Sequence, residues 1–167
     1  MILTGTKILE EYNAQNITIT PFLEDHINPN SYNYRLGNTL KVFDKIQDSK
    51  AIFREVLIPD QGYEIQPGQM YLGTTLETIG SKKYAMSLIG RSSLGRLGLF
   101  LQISANLGHT SICHKWTLEI VATQKIILYK GMKIGQISFW CNEGDHLDYI
   151  GKYANFSSPQ QSLYKQQ

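Results

Sequence analysis

Two arginines and two adjacent serines fall within Gly90-Arg91-Ser92-Ser93-Leu94-Gly95-Arg96-Leu97-Gly98, between apolar runs at 84–89 and 99–103. Guanidinium groups are permanently charged, forked donors, and hydroxyls and free backbone N–H groups add short hydrogen bonds to phosphate oxygens. The stretch suits a polyanion, although a basic turn whose arginines pair with surface carboxylates has the same composition. Glu119 is the second candidate, set between Leu118 and Ile120 in an apolar strand pattern. An acid is disfavoured there unless it faces water, a partner or a site. A carboxylate kept partly out of water takes a proton more readily, which activation of a hydrolytic water requires. Thr117, Glu119 and Val121 also share one face of an alternating strand, so a solvent-facing glutamate fits equally well.

Other reactive groups form no recognisable constellation. His109, Cys113 and His114 match no zinc-ligand spacing and read as a polar loop. No His-x-Glu followed by Pro-Cys-x-x-Cys is present, so the zinc chemistry of one class of nucleobase deaminases is not expected. Nothing in the spacing of Ser92, His109 and the aspartates supports a nucleophilic triad, and no Gly-x-x-x-x-Gly-Lys-[Ser/Thr] loop occurs.

The elements that must hold these residues are short and β-like. After one helix around Ile8, Leu9 and Tyr12, capped by Thr6, alternation begins at Ile17 and strand candidates recur about every ten residues. Tyr32 to Leu36 and Leu40 to Phe43 flank a Gly37-Asn38 turn signal, and Asp44 to Asp48 reads as a polar loop. Later strands carry Trp116 to Val121, Ile126 to Tyr129 and Ile134 to Phe139. This pattern predicts a mainly β barrel or sandwich with one helix. Residues 149–167 lack apolar periodicity and read as a disordered tail or a flap that orders over a ligand.

Bulk properties agree with a globular chain of one domain, residues 1–167. Its 42% hydrophobic and 18% charged residues exclude a disordered chain, and a net charge of +2 with no basic stripe argues against a nucleic acid polymer as partner. Two widely spaced cysteines, no signal-peptide pattern and no apolar run of membrane-spanning length predict a cytoplasmic protein with no membrane partner.

Several segments in order resemble the dCTP deaminase branch of the dUTPase-like family. Residues 28–37 are similar to its Asn-Pro-x-Ser-Tyr-Asp-x-Arg-Leu-Gly, with Asn33 in place of the aspartate. Pro67-Gly68 and Thr75-Leu76-Glu77 follow its pattern. Residues 90–99 resemble Gly-Arg-Ser-Ser-Leu-Ala-Arg-Leu-Gly-Leu, with Gly95 in place of alanine. Leu118-Glu119 falls where the family carries its catalytic glutamate, residues 130–136 resemble its next strand, and 149–153 resemble its C-terminal flap.

The resemblance implies a distorted β-barrel with a short N-terminal helix, assembled as a homotrimer or a higher oligomer with sites between subunits. Arg91, Ser92, Ser93 and Arg96 would hold a nucleoside triphosphate, usually with Mg²⁺, and Tyr149 and Lys152 would close over the phosphates. Ser104, Ala105, Asn106, His109 and Ile112 fall at the base and sugar pocket, with the Ala105 backbone meeting the base or its water. Glu119 would be the general base for attack of water on C4 of cytosine, releasing ammonia without zinc.

Departures from the family cluster at the sugar and base. His109-Thr110-Ser111 replaces Asp-Pro-Gly, whose aspartate meets the sugar 3′-hydroxyl and serves catalysis in dUTP-cleaving relatives. Ile112 replaces a bulky aromatic, Ala122 an asparagine and Phe156 the flap glutamine. Two functions follow: a deaminase of dCTP or a related pyrimidine nucleotide, favoured by the retained Glu119, or a non-catalytic protein that sequesters a nucleotide or nucleotide signal, such as a phage anti-defence sponge. Cleavage of dUTP is disfavoured by His109.

Overall fold

The computed structural model describes residues 1–145, 147, 149, 151 and 157–163. Helix α1 (Gly5–Asn13) comes first, and Thr4 caps it by accepting the Lys7 N–H at 3.4 Å. The cap is therefore Thr4 rather than Thr6. Thr4 has the extended dihedrals of a cap, and Gly5 lies so close to the Asn28 carbonyl that a Cβ would collide with it.

Strands β1 (Ile17–Thr20), β2 (Ile27–Asn28), β3 (Ser31–Arg35), β4 (Thr39–Gln47), β5 (Lys50–Leu57), β6 (Tyr63–Ile65), β7 (Met70–Thr74) and β8 (Thr78–Ser81) follow. Next come β9 (Tyr84–Gly90), the single-turn helix α2 (Ser92–Gly95), β10 (Leu99–Leu101), β11 (Leu107–Gly108) and β12 (Cys113–His114). The last described strands are β13 (Thr117–Ala122), β14 (Ile126–Leu128) and β15 (Lys133–Cys141). Two five-stranded sheets, β11-β9-β15-β3-β2 and β10-β13-β7-β4-β5, carry most of the fold, with a three-stranded sheet β1-β8-β12 and the pair β14-β6. The result is a mainly β, distorted barrel whose sheets do not join into one closed ring.

The core forms because each strand's alternation puts one apolar set inward. Leu118, Ile120 and Ala122 of β13 are buried, while Thr117, Glu119 and Val121 are half-buried on the opposite face. Tyr32 and Tyr34, Leu40, Tyr71, Met86, Ile137 and Phe139 join the same cluster, and Ile8 pins α1 to it. Each buried Leu, Ile or Phe contributes roughly 1.5–3 kcal/mol.

Two expectations about the chain's path are corrected. Gly37-Asn38 does not close a hairpin: β3 pairs with β15 and β2, and β4 with β5 and β7, so this link crosses between sheets. The polar run from Asp44 is the outer half of β4, continued through a tight hairpin into β5, with Asp48 and Ser49 at φ 50° and 58°. That half is exposed on both faces, so burial imposed no apolar alternation by which to read it. No helix among the described residues is long and apolar enough to cross a membrane.

Candidate functional site

The basic turn is built where β9 ends. Gly90 pairs with Gly135 of β15, and Arg91 then takes an extended conformation, its carbonyl accepting the N–H groups of Leu94 (3.0 Å) and Gly95 (2.9 Å). The Arg91 guanidinium donates to the Lys133 carbonyl at 3.3 Å. Ser92, Ser93 and Arg96 are exposed. Among the described residues neither Arg91 nor Arg96 makes an ion pair. Gly98 closes it at φ 82°, where a Cβ would strike the Thr123 hydroxyl, and its carbonyl accepts the Thr123 N–H at 2.9 Å. The turn is thereby pinned to the far end of β13.

Glu119 sits between this turn and a cavity. Leu99 pairs with Ala122, three residues beyond Glu119, and Thr117, two residues before it, pairs with Thr74. Those separations are about 10 Å and about 7 Å along the strand. Leu72 is directly opposite Glu119 on β7 and shares its face. Thr74 lines a cavity of about 310 Å³ together with Asn38, Lys115, Lys130, Ser157 and Ser158. The C-terminal segment docks beside it, with the Gln160 N–H donating to the Thr117 hydroxyl at 3.1 Å and Pro159 buried. Lys130 is paired with Asp60 at 2.5 Å, whereas Lys115 has no ion pair among the described residues.

The chain leaves the sheet beside Glu119. β10 pairs with β13 as far as Leu101–Ile120, and Gln102 then turns away at φ 49°. Its side-chain carbonyl accepts the Glu119 N–H at 2.7 Å, its own N–H donates to the Glu119 carbonyl at 3.2 Å, and its side-chain amide donates to the Ala105 carbonyl at 3.2 Å. Reading the sequence put Gln102 inside an apolar strand and missed these contacts. A glutamine at a strand end carries no local signal that it will cap another strand's backbone.

Ser104, Ala105 and Asn106 form the exposed loop that follows. Asn106 ties it back to β9, its carbonyl accepting the Leu88 N–H at 2.9 Å and its side chain donating to the Ser87 hydroxyl at 3.3 Å. His109 is exposed, and its ring stacks on Tyr149 at 4.9 Å and 18°. Thr110 is buried, accepting from the Asn142 side chain at 2.8 Å, and Ser111 takes φ 69° while donating its N–H to the Ser81 carbonyl at 2.8 Å. Ile112 is 5% exposed and belongs to the core cluster, so its side chain does not face the loop's open side. Lys152 and Phe156 lie outside the described residues.

The structure thus brings Gln102, Glu119 and the 104–106 loop together and puts Tyr149 against His109. It leaves the basic turn one strand length away in the same chain. Among the described residues no three His, Cys, Asp or Glu side chains converge on a point. His114 turns its ring onto Trp116 at 4.4 Å, and burial holds its imidazole below the usual range, against a hydrogen bond from Nδ1 to the Lys115 carbonyl at 2.8 Å. That is a packed histidine rather than a metal ligand in a cluster among the described residues.

Known proteins resemble this chain in sequence and fold. Residues 2–142 match the profile of the dCTP deaminase-like family. The chain is 41% identical over 169 residues to a "dCTP deaminase, dUMP-forming" of Hathewaya histolytica, covering 98% of this chain and 96% of that protein. It is 42% identical over 167 residues to a protein of the same description from Clostridium beijerinckii, covering 98% and 96%. A crystal structure of 2′-deoxycytidine 5′-triphosphate deaminase from Agrobacterium tumefaciens superposes with a TM-score of 0.68 at 21% identity, over 84% of this chain and 48% of that one. This chain spans about half of that longer chain, and the likeness concerns the fold.

Proposed function

The chain belongs to the dCTP deaminase-like family, and from that premise we propose that it hydrolyses the exocyclic amine of dCTP, releasing ammonia and the uracil nucleotide. The observation that carries the reading is Glu119, half-buried on the outer face of β13 between a basic, hydroxyl-rich turn and a polar cavity. A carboxylate so placed takes a proton from water as the oxygen attacks C4 of cytosine, and the proton passes to the departing nitrogen. The water oxygen becomes O4 and the amine leaves as ammonia, so the balance needs no redox partner.

Arg91, Ser92, Ser93 and Arg96 hold the phosphates in this scheme, through charge-assisted donors that fix the base relative to Glu119. Tyr149 closes the C-terminal segment over the site. Among the described residues no three carboxylate, imidazole or thiol groups converge as ligands for a metal. A Mg²⁺ entering with the triphosphate would be met here by the Ser92 and Ser93 hydroxyls and would supply neutralisation of the phosphate charge.

We propose a homotrimer for the assembly. Phe100 and Met70 flank Val121 on the face of β13 that carries Glu119, and Phe43 shares that face; they are 42%, 44% and 41% exposed. Such an apolar row is suited to cover by a second copy. Light scattering on a sizing column reads the mass directly.

His109, standing where dUTP-cleaving relatives carry an aspartate, favours dUTP as the product. The 41% identity to dUMP-forming relatives favours the other product, dUMP with diphosphate. Incubating the protein with dCTP and reading ammonia, the one-dalton mass change and released diphosphate separates these outcomes. Glu119→Gln should lower turnover about 10²–10⁴-fold while dCTP still binds. Tight binding of dCTP with no ammonia from the wild-type protein would instead support sequestration.

A further inference from the structure

We infer that Gln102 is a positioning residue that locks the Glu119 peptide to the 104–106 loop, so that the general base and the backbone facing the base move as one unit. The inference rests on the deaminase reading for its kinetic consequence, but the lock is a property of the fold.

The argument starts from what β13 lacks. Its ladder with β10 ends at Leu101–Ile120, one residue short of Glu119, because the chain turns at Gln102. An ordinary strand would continue the ladder and fill the space beside Glu119 with another backbone. Here the backbone turns away after one N–H bond to the Glu119 carbonyl, and a side-chain amide supplies the hydrogen bond the ladder would have made to the Glu119 N–H. Oε1 of Gln102 takes the Glu119 N–H at 2.7 Å, shorter than the 3.2 Å bond from its own N–H to the Glu119 carbonyl. The N–H and C=O of Glu119 are therefore both held by one residue.

Its other end fixes the loop. Nε2 donates to the Ala105 carbonyl at 3.2 Å, so the same amide joins the loop to the strand. A glutamine suits this because it presents an acceptor and a donor from one rigid plane. The left-handed φ of 49° is the complementary sign, since it costs a non-glycine residue energy that a glycine would not incur. A residue kept only for the turn would do better as glycine, whereas a residue kept for its amide cannot be replaced that way.

The test uses the full-length protein with dCTP and three variants. Gln102→Gly accepts the left-handed turn without strain and loses the amide. Gln102→Met keeps length and packing but neither hydrogen bond. Gln102→Glu keeps the acceptor for Glu119 and loses the donor to Ala105. The lock predicts that Gly and Met lower kcat about 10–100-fold with KM for dCTP within about twofold. Gln102→Gly should melt no lower than wild type, and Gln102→Glu should lie between Met and wild type in kcat. Amide exchange in the peptide containing Glu119 should accelerate in Gly and Met at the Glu119 N–H and stay unchanged at Leu118 and Ile120.

Wild-type kcat and wild-type exchange in Gly and Met together would overturn the inference. If the wild-type protein releases no ammonia from dCTP, the deaminase reading fails. The exchange measurement then decides the lock alone, faster exchange at Glu119 upholding it and unchanged exchange overturning it.

Discussion

The rings of His109 and Tyr149 lie nearly parallel, 18° apart, with centroids at 4.9 Å. The contact joins the loop before β12 to the described part of the C-terminal segment, where the Tyr149 ring also covers Gly151 so closely that a Cβ there would collide with it. A stacked aromatic pair contributes about 0.5–1.5 kcal/mol beyond its buried area. Tyr149→Ala should therefore raise KM for the nucleotide by several-fold if the segment closes over bound substrate. Tyr149→Phe, which keeps the ring, should stay close to wild type. Steady-state kinetics on the two variants reads the difference.

Arg96 is exposed and unpaired among the described residues, so its charge is available to a ligand. A hydrogen bond to a charged group contributes about 1.5–3 kcal/mol, and Arg96→Ala should raise KM for dCTP about 10–100-fold. The penalty should shrink for the monophosphate, which offers fewer anionic oxygens. Binding isotherms for dCTP and dCMP with both proteins measure this.

Ser111 occupies φ 69°, where an L-residue with a Cβ is strained. Its backbone N–H bond to the Ser81 carbonyl survives substitution, and the residue is exposed. Ser111→Gly should accordingly stabilise the fold by about 0.5–1 kcal/mol, visible as a rise in Tm.

Glu11 links α1 to the turn before β9 through buried charge. Its carboxylate lies 3.0 Å from Lys7 and 3.7 Å from Lys83 and accepts from the Asn16 side chain at 2.7 Å. Burial alone would raise its pKa, but these donors outweigh burial and hold the carboxyl below the usual range. A lowered folded-state pKa contributes stability above the unfolded value of about 4.3, lost as pH falls through the folded value. Thermal melts should thus show wild type losing its advantage over Glu11→Gln below about pH 4.3, an advantage of about 1 kcal/mol at neutral pH.

Much of this protein was legible in its residues. The basic turn between two apolar runs, the alternation that puts Glu119 opposite a buried face, and the predominance of short strands are local properties. Composition and period along the chain dictate them, because a strand's side chains alternate wherever it pairs. The crossing at Gly37-Asn38 was not legible, since a turn signal marks a change of direction and not the partner of the next strand. Nor was the exposed half of β4, which burial never patterned.

The sequence by itself determined which chemical groups the chain offers and which of them lie on one face of one strand. Only the tertiary structure decided that Gln102 meets Glu119 and Ala105 with one amide, that Ile112 goes to the core, and that Tyr149 lands on His109. Those contacts join positions far apart in the chain. They follow from where β10 stops pairing and where two loops return, and the balance of packing and backbone hydrogen bonding over the whole sheet sets both.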